Sequence, residues 1–362
     1  MTRSSSSIRK ASAVKAAGDV NALKRRATIN DIARLANVSK KTVSRVINQS
    51  PFVKEETRTR IGEIMQELGY VPDPQARGLA FRRSFLIGLI YDNPNAQMVV
   101  NMQQGVLDGL RGSGFELVVH PCSRLEKSFL SEVASFIERQ KLYGVVLLPP
   151  VSENDKLVEL IEERGCHYVR VGSAILDEPE NMVASNDRLV TGEAARHLAD
   201  LGHTRIGFIA GPPGFRSRKE RQAGFTEGLR ARGIELPADM CVDGAYTYES
   251  GIAAAQQLLS RKPRPTAIYA SNDEMAAGVY HVARQMGLSI PGDLSVVGFD
   301  DTPVSRRLWP ALTTVRWPIL EMGQAAAERL LRAGNGAIPP AGEAKPFPAH
   351  FIVRDSTAPP SS

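Results

Sequence analysis

Cysteine is scarce: Cys122, Cys166 and Cys241 stand far apart in 362 residues and form no CxxC, which argues against a disulfide framework and a cysteine-based zinc site. No run approaches the roughly 18 to 20 apolar residues that a membrane span needs. The N-terminal stretch with Arg3, Arg9 and Lys10 lacks the apolar core of a secretion signal. A reducing cytoplasm and no membrane partner are therefore expected. The phosphate-cradling patterns GxGxxG and GxxxxGK[ST] are absent, and so is a nucleophile elbow. An enzyme such as a nicotinamide-dependent dehydrogenase is disfavoured on that ground, and neither a cofactor nor a metal is expected.

Net positive charge is missing from most of the chain. Residues 1–83 hold 17 Lys/Arg against 7 Asp/Glu, while the remainder holds 28 against 32. A basic head on a mildly acidic body suggests that the head meets a polyanion and the body does something else. Within the head, residues 1–27 are rich in Ser, Ala, Lys and Arg without apolar periodicity, as in a disordered basic tail. From Thr28 three amphipathic helical patterns follow: Ile32, Ala33 and Ala36; Val43, Val46 and Ile47; Ile61, Ile64, Met65 and Leu68. They predict a three-helix domain over 28–72. Pro72, Pro74 and Gly78 then mark a linker over 73–83.

From Ser84 the pattern changes to apolar runs alternating with helical stretches: 85–91, 116–120, 144–148, 168–171, 206–210, 266–270 and 295–299. Continuous apolar strands separated by helices predict parallel sheets covered on both faces, and two such series predict two doubly wound subdomains with a ligand cleft between them. The fold class is α/β.

Residues Thr28 to Asn48 read as a helix-turn-helix. Ser39 is suited to cap the second helix, Val43, Val46 and Ile47 bury one face, and Lys40, Ser44 and Asn48 with Lys41 and Arg45 line the other. Such a face suits the major groove, where Lys or Arg donates to guanine and Asn pairs with adenine, while Ser39, Thr42 and Thr28 are placed for phosphates. A charged helix face can equally be merely solvated. The run TINDIA through VSKKTVSRVIN, then Val53 to Arg60 and LGYVP over 68–72, closely resembles the head of the lactose and galactose repressor family, and the resemblance continues to about residue 357. It implies that Ile29, Lys40, Lys41, Ser44, Arg45 and Asn48 face bases and that Thr28, Ser39, Thr42 and Thr57 lie near phosphates. It also implies a hinge over 73–83 whose segment Asp73 to Ala80 forms a helix on DNA, with Leu79 wedging into the minor groove and Ala76 and Ala80 also meeting DNA.

For residues 84–357 the resemblance implies an effector-binding and dimerisation body like periplasmic sugar-binding proteins, with the chain crossing between subdomains near 184, 316 and 350. Landmarks include Ala210-Gly211-Pro212, Arg221 to Phe225, Ser271-Asn272-Asp273 and Gly298-Phe299-Asp300-Asp301. Carried over by position, Asp92, Arg221, Tyr246, Asn272 and Asp300 fall on effector positions, with Asp187 beside them. Carboxylates, amides and a forked guanidinium suit the paired hydroxyls of a polyol, and an aromatic such as Tyr246 suits an apolar sugar face. Other readings stay open: Asp273 and Asp301 can cap the next helices, Arg221 can serve an ion pair, and His203 reads as a structural residue.

The expectation is a transcriptional regulator whose partners are double-stranded operator DNA, a second copy of itself and a sugar-like small molecule. A sugar, a sugar phosphate or a purine nucleoside fits the effector role, and a solute-binding protein without DNA function is the other class. Residues 358–362 read as a tail without heptads, which favours a homodimer over a coiled-coil tetramer.

Overall fold

The computed structural model describes residues 27–47, 52–70, 84–333 and 345–361. Most of the basic tail, Asn48, and the hinge with Ala76, Leu79 and Ala80 lie outside these residues. Contacts divide the chain into two units, one ending at Arg83 and one starting at Ser84.

The first unit contains α1 (Ile29–Leu35), α2 (Lys40–Ile47) and α3 (Glu55–Glu67). Its core is small: Ile32, Ala36, Val43 and Ile61 have no exposed surface, and Ala33 and Val46 pack beside them. These are the positions that the periodicity predicts. Thr28 and Asp31 form a reciprocal capping box at the start of α1. Asn37, at φ 50°, makes the tight turn to α2, and the Ser39 hydroxyl accepts from the Thr42 amide at 3.1 Å to cap that helix. Arg60 of α3 donates to the Ala36 carbonyl and so pins the third helix to the end of the first.

The second unit holds two parallel sheets. The first, in the order β2-β1-β3-β4-β5, comprises β1 (Leu86–Tyr91), β2 (Glu116–Pro121), β3 (Gly144–Leu147), β4 (His167–Gly172) and β5 (Met182–Ala184). The second, in the order β7-β6-β8-β9, comprises β6 (Ile206–Ala210), β7 (Cys241–Asp243), β8 (Ala267–Ala270) and β9 (Ser295–Val297). An antiparallel ribbon of β10 (Thr314–Arg316) and β11 (His350–Ile352) accompanies them. The central strands β3, β6 and β8 are wholly buried, as apolar runs covered on both faces must be. All seven apolar runs become strands. The three-residue edge strands β5 and β7 are not among them: unlike β9, which lies within the apolar run 295–299, neither lies in a longer apolar run.

Helices α4 (Ala96–Leu110), α5 (Phe129–Gln140), α6 (Asp155–Glu163), α7 (Asp187–Asp200), α8 (Arg216–Arg230), α9 (Tyr248–Leu259), α10 (Asp273–Gln285), α11 (Pro303–Arg307) and α12 (Ile319–Ala333) complete the layers. The C-terminal segment departs from expectation: Ala358 is hydrogen-bonded through its amide to Ser295 Oγ (3.0 Å) and through its carbonyl to His203 Nε2 (2.9 Å). The body therefore runs past residue 357. His203 is buried and also meets Thr266 and Ser295, which is the structural role its sequence position suggests.

Helices α7 and α8 approach closely because Gly192, Gly224 and Gly228 line their contact, and a Cβ at Gly224 would overlap the Arg188 carbonyl oxygen. Gly224→Ala should cost about 1–3 kcal/mol in urea unfolding of the body. Gly62→Ala on α3, where a Cβ meets nothing within 4 Å, should instead stabilise the head by about 0.5–1 kcal/mol. Equal effects at the two positions would contradict this packing.

Candidate functional site

In the head, α2 separates its faces cleanly. Val43 and Val46 are buried, while Lys40, Lys41 and Arg45 are exposed and Ser44 lies half-buried beside them. Lys40 and Ser44, one turn apart, share the outward face. Ser39 and Thr42 stand at the N-terminus of α2 with hydroxyls 2.9 Å apart, where the helix dipole favours an anion. Thr28 is exposed and its hydroxyl donates to Asp31 at 2.7 Å. Ile29 is half-buried, and so is Thr57 in the first turn of α3.

In the body, the carboxyl ends of both sheets face one narrow cleft with an interior volume of about 40 Å³. The lining lies beyond strand ends: Asn93 and Asn95 after β1, Pro149 after β3, Ser173 after β4, Tyr246 after β7, Asn272 after β8 and Asp300 after β9, with Ser217 and Arg221 from the first turns of α8, which follows β6. That is where open α/β sheets bind ligands. Phe215, Met98 and Trp317 add apolar surface. Asn95 Nδ2 donates across the cleft to Asp300 Oδ2 at 3.1 Å, so the two halves touch.

The centre of the site is the guanidinium of Arg221, which is 5% exposed. Its Nε donates to Asp187 Oδ2 at 2.8 Å, its Nη1 donates to the Ser271 carbonyl at 2.5 Å, and its Cζ lies 3.4 Å from the centroid of the Phe299 ring. Burial works against the charge, and the Asp187 carboxylate outweighs it, holding Arg221 above its ordinary value. Tyr246 packs edge-on to Phe215 and meets the Ser217 hydroxyl at 3.0 Å. Asn272 accepts from the Met275 amide as the cap of α10 and donates to the Tyr246 carbonyl. Asp300 sits at φ 108° and Asp301 at φ 53°, a strained pair in the left-handed region. Burial pushes the Asp300 carboxyl well above its ordinary value, and Arg221 acts in the opposite sense.

Of the six effector candidates, Arg221, Tyr246, Asn272 and Asp300 line the cleft. Asp92 and Asp187 do not. Asp92 accepts from the Arg124 amide at 3.0 Å and pairs with its guanidinium at 3.6 Å. Asp187 has no exposed surface, and Ser185, Trp317 and Arg221 occupy its oxygens. Asp273 and Asp301 also turn away: the first accepts from Thr302 and Thr314, the second from Ser305, Arg316 and Arg354. Sequence reasoning missed Asn95, Ser173, Ser217 and Trp317. Asn95 and Ser173 follow strand ends, and Ser217 lies one helical turn before Arg221, so the strand-end rule could have found them.

A helix-turn-helix head and a polar cleft between two sheets in one chain define a class: a DNA-binding regulator that senses a small molecule. Residues 28–73 match the family of bacterial regulatory proteins, lacI family, and residues 195–357 match the periplasmic binding protein-like domain. A probable HTH-type transcriptional repressor, ExuR of Bacillus subtilis (strain 168), is 32% identical over 84% of this chain and 90% of its own length. The crystal structure of the lac repressor dimer bound to operator and the anti-inducer ONPF is similar at a TM-score of 0.74 and 28% identity, covering 92% of this chain and 100% of that one. A transcriptional regulator CelR–cellobiose complex is similar at a TM-score of 0.68 and 30% identity, covering 91% and 100%. The chain belongs to the lacI family of bacterial regulatory proteins and is a transcriptional regulator with a DNA-binding head and an effector-binding body.

The Arg221–Asp187 pair is buried on both sides, with side chains 6% and 0% exposed, whereas Arg124–Asp92 is 26% and 31% exposed. Asp187→Asn should therefore destabilise the body by about 3 kcal/mol, because it leaves a buried charge unmatched. Asp92→Asn should cost about 1 kcal/mol or less. Urea unfolding of the full chain separates the two, and equal costs would overturn the ranking by burial.

Proposed function

We propose that this protein represses transcription in the cytoplasm as a homodimer on a near-palindromic operator, and that a neutral sugar entering the cleft changes its grip. The observation that carries the sugar reading is the charge balance of the cleft. Its cation, Arg221, is already matched by Asp187, and Asp300 adds an acid, so the lining suits hydroxyls better than a phosphate. Asn95, Ser217, Arg221, Tyr246, Asn272 and Asp300 would meet the hydroxyls, and Trp317 and Phe215 would cover the apolar face. Asp187 and Asp92 hold Arg221 and Arg124 in place behind them.

The DNA half of the reading rests on the exposed face of α2. Lys40, Lys41, Ser44 and Arg45 would read bases, and Thr28, Ser39, Thr42 and Thr57 would hold phosphates, with Ile29 packed at the edge. Asn48 would extend the same face, and the hinge with Leu79 would bend the operator centre; both follow from the family pattern. The lac repressor is solved as a dimer on operator, and CelR with cellobiose, which supports the pairing of functions. The relatives are regulators rather than enzymes, in line with a binding role.

Gel retardation of genomic fragments with the full-length protein tests the DNA half. A discrete fragment should be retained over bulk DNA, and Arg45→Ala should weaken that retention by about 1–3 kcal/mol, roughly 5- to 150-fold. A thermal-shift panel of monosaccharides, disaccharides and their phosphates tests the effector half. Neutral sugars should raise the melting temperature, and Asp300→Ala should remove the rise while fragment retention persists. A rise confined to phosphates, or one that survives in Asp300→Ala, would overturn the assignment.

A further inference from the structure

Helix α8 carries Ser217 and Arg221 into the cleft, yet its own sequence caps it poorly. The N-cap residue is Phe215, which has no side-chain acceptor, and the first turn contains no acidic residue. Arg216, Arg218 and Lys219 instead place positive charge at the positive end of the helix dipole. Helices α4, α6, α9 and α10 each receive a side-chain cap from the residue before them. For α8 the acceptor comes from the opposite half of the body: Glu153 Oε2 accepts from the Arg216 amide at 2.8 Å.

Glu153 ends a 3-10 turn, Val151–Glu153, that follows β3. The turn is braced from behind: Ser152 Oγ donates to the Val171 carbonyl at 2.7 Å, and buried Arg170 donates from Nε to the Ser152 carbonyl at 2.6 Å. Beside it Arg124, held by Asp92, lies over the Phe215 ring at 5.6 Å from its centroid. The first half of the body thus grips residues 215 and 216 at the mouth of the cleft. When the halves separate, this cap is lost.

We infer that Glu153 is a positioning residue that caps α8 from the facing subdomain, so that Ser217 and Arg221 are set in register only while the cleft is closed. The cap also senses pH. The charged groups facing Glu153 are Arg216 on α8, Arg124 after β2 and Arg170 on β4; Arg170 is matched by Asp155 and Asp177, and Arg124 by Asp92. Glu153 Oε1 is buried and meets no donor among the described residues. Burial therefore prevails over the hydrogen bond from Arg216 and the three cations, and the carboxyl is pushed up to about 7. An open cleft returns it to the ordinary carboxylate range. Closure then takes up a proton: the closed form gains most below the ordinary carboxylate value and loses that gain as pH rises through about 7.

The consequence for effector affinity rests on the cleft reading, but the test does not need an effector. Hydrogen exchange of the full-length protein, followed by mass spectrometry of peptides spanning residues 213–220 and corrected for intrinsic rates, reports opening at the start of α8. Protection there should fall about tenfold between pH 6 and pH 8, as expected for a proton bound near pH 7 in the closed form. Peptides from residues 224–229 should stay level. Glu153→Gln keeps an acceptor without a titrating group and should hold high protection at both pH values; Glu153→Ala should be low at both. Far-UV circular dichroism checks that each variant is folded, and Glu153→Gln decides the matter if Glu153→Ala is not. A flat wild-type profile, a pH dependence that persists in Glu153→Gln, or full protection in a folded Glu153→Ala would overturn the inference. None of these outcomes bears on which sugar the cleft takes.

Discussion

The body is organised around one buried charge. Arg221 brings a guanidinium into an interior where an unmatched cation would be prohibitive, and every feature near it answers that cost. Asp187, at the start of α7, supplies the counter-charge; Ser271 supplies a carbonyl from the end of β8; Phe299 supplies a ring face from the end of β9. Ser185, just after β5 of the first sheet, and Trp317, just after β10, complete the hydrogen bonds to Asp187. Because these partners come from separate loops, satisfying one charge fixes several cleft walls relative to one another.

A second anchor sits beside it. Asp300 and Asp301 both lie in the left-handed region, a conformation that costs free energy for residues with a Cβ. The backbone is held there by the Asp300 amide on the Val315 carbonyl and by Asp301, whose carboxylate meets Arg354, Arg316 and Arg306. The strain turns two adjacent aspartates to different work: one faces the cleft, the other ties the loop to the ribbon and the C-terminal segment. Asn95 then reaches Asp300 across the cleft, and Glu153 reaches α8, so closing the halves is read at both sides of the ligand space. A ligand with different affinities for the closed and open forms would shift their populations by that difference and no more.

Much of this was legible in the sequence. The head could be read because α2 alternates its faces at helical spacing and Ser39 stands where a cap belongs; both are local properties. The strands could be read because parallel strands buried on both faces are continuous apolar runs. Arg221, Tyr246, Asn272 and Asp300 were placed in the cleft by family position, and the strand ends agree. The pairing of Asp92 with Arg124 and of Asp187 with Arg221 could not be read from the sequence, since these partners are distant along the chain. Trp317 and the Glu153 cap escaped for the same reason: residues 153 and 216 meet only after both sheets have formed.

If a sugar in the cleft changes the grip on operator, as proposed above, cleft and operator share one conformational equilibrium. Linkage then makes the coupling reciprocal: a sugar that changes operator affinity by some factor must have its own affinity changed by the same factor when operator is bound. The direct measurement is titration calorimetry at fixed salt, with a sugar that raises the melting temperature, on the free protein and on the protein saturated with a retained DNA fragment. The account predicts two different sugar affinities whose ratio equals the change in DNA affinity caused by saturating sugar. Identical sugar affinities with and without DNA would contradict it.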